Sequence, residues 1–531
     1  MLAFFVIIPL LIAVLLFVFS NNRTARILAI VFQSFFVIFS FYLFVISYEQ
    51  EVTTRIGSYD DFLGIHLRAY NISAVFILLT TVIFLAVAIY SIHETTSRTF
   101  WFLLFLLETT LIGLFLTRDL FNIFVLAEVG TIIITLLLMY DKKKRNLYHG
   151  MIFIMVNVIA MLFYLWGLGY LYSLVGAFDI AFVTEAIHTI ERAQLVLPYA
   201  LMLTALAFKC SMIPLFSFTP KTNLYPAAPS AVVAILSGVQ IKTSIYLFFR
   251  IQEMFGDFSL HQFFLIIGIL SSLLAVFLAI TQSDIKLILA YHTISQVGLI
   301  IIGLSLQNSY STLGGLYHII AHAIFKSTLF LTAGIIYRTY GTRNVYEIRG
   351  VLKRMPWVGI AILFAVLGIM GAPFFIGFIS KYFITYDIPL WVNVAMIIIS
   401  LGTIISFIKY SGMLFGPWEG GIDYGVGEDK WRLIPAVTLG VFCLLGGIFG
   451  VFFINNLFYG DIQMSASGYF QKAIIFFISF ALGILIYRKF VYGNAFLKKI
   501  SSMSFGFRQI CMAIGLFFAC LLMVTGFLGA R

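Results

Sequence analysis

The chain has 531 residues, of which 62% are hydrophobic and only 10% charged, against roughly a quarter charged in an average soluble domain. That composition excludes a soluble globular domain and points to a protein whose solvent is mostly lipid. The net charge of +11 then reads as a topology signal and not as a nucleic-acid-binding surface.

Apolar runs of about 18 or more residues recur along the whole length, each able to cross the roughly 30 Å hydrocarbon layer as a helix. An all-α polytopic membrane protein of about 14–16 transmembrane helices is expected. In chain order the runs cover residues 2–19, 27–47, 69–91, 100–116, 119–140, 150–172, 196–218, 227–250, 261–281, 286–306, 312–337, 357–386, 389–413, 433–456, 471–488 and 509–529. The first has neither a basic leading region nor a small-residue cleavage site, so it is expected to be retained as a span. Pro373 and Gly377 predict a break within 357–386, and Pro214 and Pro220 predict another near the end of 196–218. Broken helices are expected where backbone lines a polar cavity instead of lipid.

Loops after odd-numbered spans are basic: Arg23 and Arg26; Lys142, Lys143, Lys144 and Arg145; Arg338, Arg343, Arg349, Lys353 and Arg354; and Arg488, Lys489, Lys498 and Lys499. Loops after even-numbered spans are acidic or neutral, with Glu49, Glu51, Asp60 and Asp61 in one and Asp179, Glu185 and Glu191 in another. The basic loops therefore face the cytoplasm and both termini face outward in a cell membrane. The four cysteines, Cys210, Cys443, Cys511 and Cys520, lie inside apolar spans without paired spacing and read as small buried hydrophobes. No nucleotide, haem, zinc-protease or dinucleotide motif is found, so no cofactor, metal or catalytic residue is assigned to this chain.

Chemistry then falls to polar groups inside the spans. Lys209, Lys242 and Lys381 stand within apolar runs, where an ammonium costs several kcal/mol (about 2.5–3.5 on insertion scales), and such lysines line ion or proton paths unless they snorkel to an interface. Glu128 is the lone charge of its span, and Lys209 is its natural partner by residue type, although sequence does not show contact. His318, His322 and Lys326 follow at i, i+4 and i+8, along one helix face. Imidazoles and desolvated amines can take and pass a proton near neutral pH, so the face reads as a relay. Satisfied core histidines are the bland alternative, and a metal site lacks a third ligand.

The stretch 281–304 (TQSDIKLILAYHTISQVGLIIIGL), followed by 316–334 (LYHIIAHAIFKSTLFLTAG), 371–383 (GAPFFIGFISKYF) and the earlier 209–251, closely resembles the antiporter-like subunits of respiratory complex I, of membrane-bound hydrogenases and of Mrp-type multisubunit cation/proton antiporters. The likeness runs in order from about residue 70 to 415. It implies two inverted repeats of five helices, 100–251 and 261–414, between N-terminal helices 1–99 and C-terminal helices 433–531. Each repeat is then expected to have a broken helix with a key lysine, Lys209 in one and Lys381 in the other, and Lys409 becomes the counterpart of Lys242. The family's functional residues fall on Glu128, Lys209, Lys242, His318, His322 and Lys381, with Lys326 matching the motif's conventional lysine. Two positions depart from the family pattern. Pro220 is followed by Lys221, Thr222 and Asn223 where an aspartate is common, and Tyr291 is followed by His292, an added titratable group.

The resemblance implies a proton-translocating subunit that works with other membrane subunits, inside a cation/proton antiporter or a redox-driven pump such as an NADH/quinone oxidoreductase or hydrogenase complex. A proton-conducting partner of an inorganic-carbon uptake system is the alternative, and a structural subunit that has lost transport is a third. Mid-span carboxylates are scarce, so any sodium path is expected in a neighbouring subunit. Glu108 is read evenly as part of the relay or as a contact to an adjacent subunit. Spans 1–2 and 15–16 show little polar content and read as packing or interface helices. Because the sequence ends on a span, a counterpart of the long lateral helix of the distal complex I subunit is not expected.

Overall fold

The structure, a computed structural model, describes residues 1–19, 22–57, 64–93, 97–141, 144–215, 226, 228–417, 429–501 and 506–529. The helices are α1 (Leu2–Phe19), α2 (Asn22–Glu49), α3 (Asn71–Tyr90), α4 (Arg98–Leu116), α5 (Leu120–Leu138), α6 (Lys144–Val175), the short α7 (Ile180–Ile187) and α8 (Arg192–Lys209). There follow α9 (Ser230–Phe255), α10 (His261–Thr281), α11 (Ile285–Ser305), α12 (Ser309–Tyr340), α13 (Pro356–Met370), α14 (Ile376–Ile384) and α15 (Leu390–Ser411). The C-terminal helices are α16 (Lys430–Ile448), α17 (Gly450–Phe458), α18 (Ala466–Ile486), the short α19 (Ala495–Ser501) and α20 (Phe507–Gly529).

Among the described residues, thirteen helices are long and apolar enough to cross a membrane. The other three expected spans correspond to α1, to α8 and to the broken pair α13/α14. This is a multi-pass helical membrane protein. Sequence alone placed most helix ends within a few residues, but α6 starts well before residue 150, and the run 433–456 is interrupted at Phe449, between α16 and α17. The short helices α7 and α19 were not anticipated, nor was an antiparallel hairpin, β1 (Val52–Ile56) and β2 (Ile65–Ala69), paired from Val52↔Ala69 to Ile56↔Ile65. The hairpin rests on the α4–α5 turn, where the Arg118 N–H donates to the His66 carbonyl at 2.9 Å.

Each of the two central groups of helices opens its second member in the same way. Asp119 caps α5 by accepting from Asn122 N–H, and its strand-like bridge to Asp179 ties it to the segment after α6. Asp284 caps α11 by accepting from Lys286 and Leu287 N–H, and bridges Asn344 in the segment after α12. Each bridge is fastened by an arginine, Arg118 on Asp179 at 2.7 Å and Arg343 on Asp284 at 2.9 Å. In that second loop the Thr342 hydroxyl and Asn344 amide donate to Glu347 and hold its carboxyl below the usual carboxylate range.

The core lies around α11 and α12, the most buried of the spans. Helix α12 packs against α9, α11, α13, α14 and α16, so whatever it bears on one face lies between both groups of helices. Helices α1, α2, α18 and α20 present large apolar side chains outward, as lipid-facing helices do.

The expected break of 357–386 is present: α13 ends at Met370, Gly371 takes φ +80° and α14 begins at Ile376. Gly377 lets the two halves meet, because a Cβ there would overlap the Gly368 carbonyl oxygen. Helix α8 ends at Lys209, ahead of Pro214; Pro220, the altered Lys221–Asn223 and the end of the expected span 196–218 lie outside the described residues, as do Asp60, Asp61, Lys142 and Lys143.

Candidate functional site

The row of buried polar groups begins where α5 faces α8. Lys209, in the last turn of α8, places Nζ 3.5 Å from Glu128 Oε1 and donates to Thr131 Oγ1 at 2.6 Å. The expected pair is therefore formed, and Thr131, one turn along α5 from Glu128, steadies the lysine. Beside it is a cavity of about 40 Å³, lined by Thr131, Lys209, Ser211, Gln240 and Ser244. At roughly 10–15 Å³ per water in this measure, it has room for a few water molecules.

Gln240 belongs to a π-helical turn, Leu236–Gln240, inside α9. Such a turn widens the ladder and displaces carbonyls from their usual partners. Lys242, 2% exposed, donates to the Ser237 carbonyl within that turn. Ser237 Oγ shares a hydrogen bond of 2.8 Å with Thr293 Oγ1 of α11, and Thr293 in turn donates to the Leu289 carbonyl. Lys326 of α12 donates to the same Leu289 carbonyl at 2.6 Å. Thus α9, α11 and α12 are joined by hydroxyls and one shared carbonyl between two buried ammonium groups.

His322 and His318 continue along α12, both fully buried. His322 lies within electrostatic reach of Lys242, Lys326, His318 and His292, and neither of its ring nitrogens has a hydrogen-bond partner among the described residues. His318 is held at both ends: Nδ1 pairs with Ser380 Oγ at 2.8 Å and Nε2 with Gln296 Oε1 at 3.1 Å. Ser380 is the residue before Lys381, so this bond joins the α12 face to the broken helix.

Lys381 Nζ donates to the carbonyls of Ile369 and Met370 at 2.9 and 3.1 Å. These are terminal carbonyls of α13, left unpaired by the break, and they sit at the negative end of that half-helix. Lys409 uses the same device, donating to the carbonyls of Ala279, Ile280 and Gln282 at the end of α10. His292 packs its ring on Phe407, with centroids 4.6 Å apart.

Charge compensation along this row is therefore uneven. Lys209 has a carboxylate; Lys242, Lys326, Lys381 and Lys409 have backbone carbonyls. A carbonyl or helix end offers a fraction of a charge, so these ammonium groups are only partly neutralised where water is scarce. Lys242 lies within electrostatic reach of Lys326, and both Lys381 and Lys242 within reach of His318, where like charges repel. A row of this kind can hold protons singly and resist holding all of them at once.

Glu108 is placed apart from the row. It is fully buried between α4 and α2, with Oε1 accepting from Gln33 Nε2 at 2.6 Å. Glu108 thus faces Gln33 inside this chain, and α2 is more than an apolar packing helix because it supplies Gln33. Sequence reasoning also missed Thr131, Ser237, Thr293, Gln296 and Ser380; the only signal was that these small polar residues sit within spans. Among the described residues, no group of three His, Cys, Asp or Glu side chains is placed to hold a metal ion.

The class is thereby defined: a polytopic membrane protein with a buried row of titratable side chains running from the end of α8 to the break between α13 and α14. Residues 117–406, more than half of the chain, match the model of the family described as NADH:quinone oxidoreductase/Mrp antiporter, transmembrane region. The chain belongs to that family. It is 27% identical over 455 residues to an Na⁺/H⁺ antiporter subunit of Alkalihalophilus pseudofirmus, covering 82% of this chain and 91% of that one. It is 28% identical over 425 residues to an NADH-quinone oxidoreductase subunit of Desulforudis audaxviator, covering 74% and 84%. In fold it matches a chain of the Mrp complex from Dietzia sp. DQ12-45-1b, with a TM-score of 0.79 at 22% identity over 89% of this chain and 99% of that one. A chain of the membrane-bound sulfane sulfur reductase, an archaeal respiratory membrane complex, matches with the same TM-score and identity over 90% and 99%.

Proposed function

We propose that this chain is the proton-translocating, antiporter-like subunit of a multisubunit membrane complex. The observation that supports the reading best is the succession of buried groups from Glu128 and Lys209 through Lys242, Lys326, His322 and His318 to Lys381, set within the family-matched region. The other subunits are membrane proteins, and the relatives named above favour an antiporter or quinone-oxidoreductase type of assembly over the inorganic-carbon partner. The helix groups 100–251 and 261–414 act as inverted repeats, a reading supported by their matching aspartate caps and bridges. The protein sits in the plasma membrane with its basic loops cytoplasmic and both termini outside.

The mechanism follows from the compensation pattern. While Glu128 stays beside Lys209 the ammonium is stabilised; when the pair opens, the ammonium loses its counter-charge in a poorly hydrated site and passes its proton on. Lys242 and Lys326 take up positive charge against carbonyls, His322 and His318 pass it along α12, and Lys381 receives it at the break. Because the groups repel one another when charged, a proton arriving at one end favours departure at the other. Changing Lys381→Met in the assembled complex, reconstituted in liposomes, tests this directly. Proton flux is expected to fall at least tenfold with assembly retained, and flux within twofold of the unaltered complex would refute the relay. The visible spectrum of the same purified complex separates the hosts: bands bleached by dithionite place it in a redox-driven pump, and a colourless complex in a secondary antiporter.

A further inference from the structure

The second broken helix opens onto a cavity of about 80 Å³, lined by Lys381 and Thr385 of α14 and its flank, Asn393 and Ser400 of α15, and Lys472 and Ser479 of α18. Lys472 lies outside the family-matched residues 117–406 and in a helix that otherwise faces lipid. Its side chain is turned inward and is not left to the surface: Nζ donates to Thr385 Oγ1 at 2.9 Å. Thr385 Oγ1 itself donates to the Lys381 carbonyl at 2.8 Å. One threonine thus fastens Lys472 to the turn that bears Lys381. Tyr382 is the other titratable residue lining the cavity, and no carboxylate lines it. Lys472 stands six residues into α18, about 9 Å along the helix from its start at 1.5 Å per residue, so it lies between Lys381 and the water beyond Ala466.

We propose that Lys472 is the outlet station of the proton path, a relay residue that takes the proton from Lys381 across this cavity and releases it to the aqueous side. The inference rests on the relay reading above. The transfer balances without a co-reactant: the Lys381 ammonium gives H⁺ to water in the cavity and becomes an amine. The Lys472 amine takes H⁺ from that water, becomes an ammonium, and gives H⁺ to bulk water. The cavity has room for several waters by the same volume per water, and Thr385 keeps Nζ aimed into it. With no carboxylate present, two ammonium groups along one small cavity repel each other, which favours release from the outer one.

The test uses the complete complex in liposomes, with proton flux read by a pH-sensitive dye between about pH 6 and 9. Arginine keeps charge and hydrogen bonding but does not give up its proton. Lys472→Met and Lys472→Arg are therefore both expected to lower flux about tenfold. Lys472→His is expected to recover more than half of it, with the alkaline limb moved to lower pH, since imidazole ordinarily titrates near 6.5 and an amine near 10.4. Flux within twofold of normal for the methionine or arginine variant overturns the proposal, as does a histidine variant as slow as the methionine one or with an unmoved pH profile. Yield and unfolding temperature of each complex identify loss of assembly. Lys381→Met, measured beside them, separates the two ideas: normal flux there refutes the relay as a whole, whereas lost flux there with normal Lys472 variants refutes only the outlet.

Discussion

Replacing Glu128 with glutamine removes one charge of the Lys209 pair and keeps the side-chain shape. At 3.5 Å and an effective dielectric constant of about 20, the attraction is worth about 5 kcal/mol, close to the roughly 3–5 kcal/mol lost when one partner of a buried pair is deleted. With about 1.4 kcal/mol per tenfold in an equilibrium, losing that stabilisation makes the charged form of Lys209 about 100- to 4000-fold rarer, and flux that must load a proton on Lys209 falls with it. The two side chains are 10% and 17% exposed, so part of this is screened, and the expected loss is at least tenfold. Misplacement of Lys209 does not confuse the result, because its 2.6 Å bond to Thr131 remains. The assay is proton flux in liposomes holding the whole complex, with subunit yield measured in parallel. Glu128→Gln combined with Lys209→Met should be no slower than Lys209→Met alone, since the two act as a unit. Flux within twofold of normal for Glu128→Gln, or losses that multiply in the double variant, would refute the reasoning.

Three further outcomes are expected. Ser380→Ala deletes the Nδ1 partner of His318; a hydrogen bond of about 1 kcal/mol predicts a roughly fivefold loss of flux, and His318→Ala should lose more, whereas normal flux in both would take His318 off the path. Gly377→Ala forces a Cβ into the Gly368 carbonyl oxygen; overpacking of this kind costs about 1–3 kcal/mol or more, so the complex should unfold at lower temperature, and an unchanged melting curve would contradict the close approach. In a chain whose four cysteines are replaced by serine, Lys353→Cys should react with an impermeant thiol reagent only in inverted vesicles and Thr189→Cys only in right-side-out ones; the opposite pattern reverses the proposed sidedness.

Sequence by itself determined the membrane class and where most of the long apolar helices lie, because a helix in lipid needs about 20 apolar residues whatever its neighbours are. It also singled out Glu128, Lys209, Lys242, His318, His322, Lys326 and Lys381 as titratable groups within the spans, since such groups are costly in hydrocarbon, and the structure buries them. The break at 371–375 was legible for a local reason, a proline and glycines inside an apolar run. Apart from the Glu128–Lys209 pair, what compensates each charge was not legible. The carbonyls that hold Lys381 and Lys409 come from the ends of other helices, α13 and α10, and every residue type has a carbonyl, so composition leaves no mark of them. The same holds for Ser380, Thr131 and Gln33, ordinary polar residues until packing sets them against His318, Lys209 and Glu108. Nothing in the sequence singled out Lys472, and only the docking of α18 on α15 turned it toward Thr385 and Lys381. A span is a property of its own twenty residues; a proton path is a property of which spans touch, and tertiary structure alone decides that.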